Sequence, residues 1–134
     1  MTLGVRAVVE DERQRILLVR HTYVKGWYLP GGGVETGQTM EQALAMELRE
    51  EVCINQMGRV ELFGIYLNRH VSKRDHVGLF ICRNWRDQGE FIPNREIAEI
   101  GFFARDELPA DTTKGTRLRL AEVYDGAAIS SVWQ

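Results

Sequence analysis

The chain has 134 residues, 44% of them hydrophobic, with 17 basic and 19 acidic side chains and a formal charge of −2. That size suits one compact domain over residues 1–134, and a near-neutral total leaves nucleic acid without an electrostatic footprint, so an anionic ligand has to be met by local charge. No run is apolar and long enough to span a bilayer and Met1–Arg6 lacks the apolar core of a signal peptide, so the expectation is a soluble, cytoplasmic protein with no membrane partner.

Leu3 to Val9 and Ile16 to Arg20 are rich in branched residues and flank a polar stretch from Glu10 to Gln14, a pattern that predicts a hairpin. Trp27 to Leu29 predicts a further strand, ended by Pro30 and Gly31-Gly32-Gly33, which predict a tight loop. Thr39 followed three residues later by Gln42 is a capping box, and Met40, Leu44, Leu48 and Val52 recur at helical spacing, so a helix is expected to about Val52. Val60 to Leu67 and Asp75 to Arg83 are strand candidates, the second alternating Val77, Leu79 and Ile81 with His76, Gly78 and Phe80. Ile100 to Ala104 is a shorter strand, and Thr113 to Tyr124 a last helix with a modest apolar face. Cys53 and Cys82 stand singly in apolar stretches, which points to reduced, buried thiols.

Within the first helix, Glu47, Glu50 and Glu51 stand at i, i+3 and i+4 along one side. Like charges at that spacing weaken an isolated helix by roughly 0.2–0.5 kcal/mol per pair. A partner outside the helix is therefore expected, and a divalent cation is the obvious one.

The segment Gly32 to Ile54 resembles the signature box of the Nudix hydrolases: Gly32 matches the first glycine, Glu47-Leu48 the glutamate and aliphatic pair, Glu50-Glu51 the paired glutamates, and Ile54 the closing aliphatic residue. The entering stretch Leu29-Pro30-Gly31-Gly32-Gly33-Val34-Glu35, then Asn94-Arg95-Glu96-Ile97, Gly101-Phe102-Phe103 and Glu107-Leu108-Pro109 extend the likeness over most of the chain. The resemblance implies an α/β/α sandwich with a central mixed β-sheet. Three positions depart from the box: Gln38 replaces its first glutamate, Met46 its arginine and Cys53 its late glycine. Glutamate and arginine commonly contact one another in the family, so Gln38 and Met46 remove both halves of one pair, a change that can be nearly neutral where losing one half costs roughly 3–5 kcal/mol. Cysteine at position 53 is tolerable unless the backbone needs a positive φ there.

By resemblance, Glu47, Glu50 and Glu51 are the catalytic residues and metal ligands for Mg²⁺ or Mn²⁺, with Glu47 doubling as general base, the Gly31 carbonyl adding an oxygen, and Glu96 a further ligand for which Glu90 and Glu99 compete. A hard cation with oxygen ligands suits the cleavage of a phosphoric anhydride. Arg20, His21, Arg69 and Arg74 are candidates for substrate contact, as are His70 and His76, and Trp27, Tyr28, Tyr66, Phe80 and Trp85 for stacking on a base. The expected activity is hydrolysis of a pyrophosphate bond in a nucleoside diphosphate linked to another moiety. The competing reading is a Nudix-fold module that binds a nucleotide or a protein without cleavage. A homodimer is the expected assembly, with Ala127 to Trp133 as a candidate interface.

Overall fold

The computed structural model describes residues 2–134. The chain runs β1 (Leu3–Val9), β2 (Ile16–His21), β3 (Trp27–Tyr28), β4 (Gly31–Gly33), α1 (Met40–Val52), β5 (Ile54–Gln56), β6 (Glu61–Leu67), β7 (His76–Cys82), β8 (Trp85–Asp87), β9 (Ile97–Phe103) and α2 (Lys114–Tyr124). A four-stranded mixed sheet has the order β4-β1-β7-β6, with β1 and β7 parallel and the other pairs antiparallel. Strands β3-β2-β9 form an antiparallel sheet beside it, and β5 pairs with β8.

Alternation along the central strands divides the interior in two. Val5, Ala7 and Val9 of β1, Leu17 and Val19 of β2, and Phe80 and Cys82 of β7 pack with Ala43, Leu44, Leu48 and Val52 of α1. Their neighbours Val8, Ile16, Leu18, Val77 and Leu79 pack on the other side with Leu120 of α2. Sheets between α1 and α2 make the expected α/β/α sandwich. Because β7 is central, it is buried on both faces from Val77 to Cys82, and its alternation sorts residues between two cores instead of between core and solvent. Only His76, at its start, is exposed.

The expected hairpin does not form. Asp11 turns the chain by accepting the backbone N–H groups of Arg13 and Arg15 at 2.9 and 2.8 Å, and Gln14 takes a positive φ of 59°. The bridge Glu10–Ile16 and the Asp11 N–H donating to the Arg15 carbonyl at 3.0 Å join the two sides, after which β1 pairs with β4 and β7 while β2 pairs with β3 and β9. The glycine loop is also corrected: Gly31–Gly33 is an edge strand on β1, and among Gly31, Gly32 and Gly33 none has a positive φ. Glycine is needed there for close approach, since a Cβ at Gly31 would lie 2.0 Å from the Val5 carbonyl oxygen.

Helix α1 keeps its predicted bounds, and both halves of the Thr39–Gln42 capping box are formed. Helix α2 departs from expectation in what it buries, which includes Thr116, Arg119 and Glu122 beside Leu120. Residues 131–133 fold back onto the end of β6, with the Leu67 N–H donating to the Ser131 carbonyl at 2.8 Å and the Trp133 N–H to the Leu67 carbonyl at 2.9 Å. Of the candidate interface Ala127 to Trp133, Ser130, Val132 and Trp133 are thus half-buried within the chain, whereas Ala127, Ala128, Ile129 and Ser131 stay exposed. Both cysteines are free thiols.

Candidate active site

Leu44, Leu48 and Val52 anchor α1 in the core, which fixes Glu47, Glu50 and Glu51 along its flank. Glu47 and Glu51 are half-buried and Glu50 is exposed. The Glu47 carboxylate lies against the backbone of β4: a Cβ at Gly32 would stand 2.5 Å from it, so a larger residue would push the carboxylate from this position. Gly31 precedes that contact on the same strand.

The loop after β8 brings in the fourth carboxylate. Asn94 Oδ1 accepts the N–H groups of Glu96 and Ile97 at 3.0 and 2.9 Å, and the Thr22 N–H donates to the Glu96 carbonyl at 2.9 Å. That turn holds Glu96 beside Glu51. Of its two competitors, Glu99 is paired with Arg20 across β2 and β9 at 3.0 Å, and Glu90 is exposed on its loop.

Burial pushes the Glu51 carboxyl up to about 8, helped by hydrogen bonding with Glu96 and by the charge of Glu47. Glu47 is also raised, first by burial and then by the charges of Glu96, Glu50 and Glu35, against a hydrogen bond from Glu51 that favours its ionised form. Among the described residues no cation forms an ion pair with Glu47, Glu50, Glu51 or Glu96. The donor set is that of a hard cation, all carboxylate oxygen and crowded enough to resist full ionisation. No three His, Cys, Asp or Glu side chains among the described residues are arranged to hold an ion as they stand, so the donors fit by chemistry and not by preformed geometry.

The altered box positions are in contact. Gln38 Nε2 donates to the Met46 sulfur at 3.5 Å, and Gln38 Oε1 accepts the Glu35 N–H at 2.9 Å, so a neutral pair joins the turn to the helix here. Cys53 caps α1 in the left-handed region, φ 57° and ψ 39°. The backbone therefore does require a positive φ at that residue, and cysteine occupies it under strain.

Arg6 is a site residue that the sequence reading passed over. Placed on β1 between Val5 and Ala7, its guanidinium donates to the Leu29 carbonyl at 2.6 Å and lies 5.9 Å from the Tyr28 ring centre. Burial lowers its pKa against the opposing fields of Tyr23, Tyr28, Glu51 and Glu47. A lone cation inside a branched, apolar strand was the available signal. His21 lies near it, its ring 5.3 Å from Tyr23 and 5.1 Å from Tyr28, with Nδ1 buried and unpartnered. Burial, and then the charge of Arg6, depresses the His21 pKa, so the imidazole is neutral at pH 7.

Arg6 and Tyr28 also line a cavity of about 830 Å³, together with Arg69, His70 and residues of α2 and the 132–134 segment. Of the four substrate candidates, Arg69 lines this cavity and His21 lies against Tyr23 and Tyr28, whereas Arg20 is engaged by Glu99 and Arg74 is exposed in the turn before β7. Tyr28 is the stacking candidate on the cavity; Trp27 packs on Phe103, Tyr66 and Phe80 are buried, and Trp85 stacks on Phe102.

The chain is 31% identical to a MutT-like protein of Streptomyces ambofaciens over 94% of its own length and 79% of that protein's. It spans only 44% and 50% of two further relatives, from Mycobacterium tuberculosis and Bacillus subtilis, to which it is 32% and 34% identical. Among solved structures, an ADP-ribose pyrophosphatase of Streptococcus suis superposes with a TM-score of 0.66 at 27% identity, covering 98% of each chain. A MutT NUDIX hydrolase of Burkholderia pseudomallei shares the fold with a TM-score of 0.77 at 24% identity, over 91% of this chain and 97% of that one. The NUDIX domain model matches residues 1–124. With its glycine strand, capped helix and carboxylate flank in that register, the chain belongs to the NUDIX domain family.

Proposed function

We propose that the chain, acting as one domain over residues 1–134, is a metal-dependent hydrolase of the pyrophosphate bond in a nucleoside diphosphate linked to another moiety. The observation that carries this reading is the crowding of Glu47, Glu51 and Glu96 without an ion-paired cation, in a chain that also carries a cavity lined by Arg6 and Arg69. Glu47, Glu50, Glu51 and Glu96, with the Gly31 carbonyl, would hold Mg²⁺ or Mn²⁺. When bound, the ion neutralises phosphate oxygens and eases deprotonation of water. Glu47, whose raised pKa makes its ionised carboxylate a stronger proton acceptor, would take up the proton of the attacking water on a carboxylate oxygen. Arg6 and Arg69 would meet the phosphates at the cavity, where Tyr28 also stands.

The Streptococcus suis relative is an ADP-ribose pyrophosphatase by name, which supports a nucleoside diphosphate derivative as the substrate class. A homodimeric state and a cytoplasmic location belong to the same proposal. The test is release of nucleoside monophosphate from ADP-ribose, a sugar nucleotide, a dinucleoside polyphosphate and an oxidised dNTP, with and without Mg²⁺ or Mn²⁺. Cleavage of one class that requires the metal, and falls by about a thousandfold in Glu51→Gln while the variant keeps its circular dichroism and cooperative unfolding, is the expected result. Nucleotide binding with no cleavage anywhere in the panel would instead establish the binding module, in which Gln38, Met46 and Cys53 accompany lost chemistry.

A further inference from the structure

On the face of the sheet opposite α1, Arg119 and Glu122 form an ion pair that is almost wholly buried, 1% and 7% exposed. The Arg119 Nη2 donates to Glu122 Oε2 at 3.1 Å. Its Nε also lies 3.1 Å from Glu122 Oε1 but without hydrogen-bond alignment, so that N–H is buried and unpartnered. A buried pair with an unsatisfied donor is a poor source of stability compared with an apolar pair of similar volume. Its contacts beyond α2 show what it does instead.

Every such contact goes to β6 or to residues 130–133. Glu122 accepts the Tyr66 hydroxyl at 2.7 Å and the Ser130 N–H at 2.9 Å, and burial together with Glu122 keeps the phenol protonated as donor. Arg119 donates to the Val132 carbonyl at 3.4 Å and lies 4.6 Å from the Tyr66 ring centre and 5.1 Å from that of Trp133. Gly115, in the first turn of α2, leaves room for the same segment: a Cβ there would meet the Gln134 carbonyl oxygen at 2.1 Å and the Trp133 indole nitrogen at 2.6 Å. Val132, Trp133 and Gln134, so held, line the cavity that Arg6 and Tyr28 also line.

We propose that the Arg119–Glu122 pair is a positioning device which locks residues 130–133 as a wall of this cavity and thereby sets the affinity for the nucleoside part of the substrate. The inference rests on the reading of the site as a nucleotide pyrophosphohydrolase. Arg119 and Glu122 do not line the cavity and reach it through Tyr66 and residues 130–133, on the face of the sheet opposite α1, so their loss acts on binding and leaves the chemical step intact.

Two variants test it. Arg119→Met with Glu122→Gln removes both charges and keeps an acceptor for Tyr66 and Ser130, which avoids an unpaired buried ion. Gly115→Ala alters no charge and favours the helix, yet drives the segment off its seat. KM for the panel substrate that the wild type cleaves, and metal-free titration with ADP, GDP, CDP and UDP, are measured for each. Both variants are expected to raise KM and the Kd of the diphosphate that binds by about tenfold or more, with kcat within about threefold. A wild type that hydrolyses a panel member while both variants keep its KM and Kd overturns this inference and leaves the proposed function standing. Equal losses of kcat at constant KM overturn it too. A wild type that neither cleaves nor binds any of the probes overturns the proposed function, and this inference with it.

Discussion

The two faces of the sheet bury charge in opposite ways. Under α2, Arg119 and Glu122 neutralise each other and are closed in by Tyr66 and Ser130. Along α1, Glu47, Glu51 and Glu96 confront one another with no ion-paired cation among the described residues. Desolvated charge is costly in either place, but only the first arrangement offsets the cost within the chain. The difference separates a self-neutralised pair from a carboxylate cluster that the proposed function completes with a cation. Net charge could not have separated them, since the total is close to zero.

The comparison is broken most forcefully by leaving Arg119 alone. Glu122→Leu strands a buried guanidinium and is expected to cost about 3–5 kcal/mol in urea unfolding, whereas Glu50→Gln on the exposed flank of α1 should leave the midpoint nearly unchanged. Equal losses would mean that the two faces do not differ in the way described.

A smaller effect, of opposite sign to the usual carboxylate, is expected from pH. Glu51 titrates near 8 in the folded protein against the ordinary 4.5. The folded state therefore binds more protons across that window, and its stability is full below the unfolded pKa and lost as pH rises through about 8. The metal-free melting temperature should fall between pH 6 and pH 9, and Glu51→Gln should flatten the fall. Mg²⁺ or Mn²⁺ should raise the melting temperature more at pH 8.5 than at pH 6, because the cation binds the ionised form. A metal-free profile that rises over this range would remove the evidence for an uncompensated cluster.

The smallest effect concerns the end of α1. Cys53→Gly relieves a left-handed residue and is expected to stabilise by about 1 kcal/mol, read as a shift in the urea midpoint at constant slope. An unchanged midpoint would show that the helix end tolerates the side chain at φ 57° without penalty.

Much of the site was legible because it is local. The spacing of Glu47, Glu50 and Glu51, the capping box at Thr39 and the four-residue recurrence of Met40, Leu44, Leu48 and Val52 lie within one helix, where sequence separation and spatial direction are tied together by the helical repeat. Glu96 was only one of three contenders, since its choice depends on a turn at Asn94 and on Glu99 being taken by Arg20 across the sheet. The role of the glycines was misread for a related reason. Gly32 is required by a side chain fifteen positions away in sequence, and no turn in its own backbone demands it.

The sequence by itself determined the identity and order of the carboxylates, the helix that carries them and the family, since periodic patterns and fixed gaps carry that information in linear form. Tertiary structure alone decided which sheet each strand joined, that Arg6 is buried against Tyr28 and the Leu29 carbonyl, and that Arg119 and Trp133 sit together behind the cavity. Strand partners and cavity walls come from segments far apart in the chain, and their pairing is selected by which faces can be buried together, a property of the packed whole that no local pattern encodes.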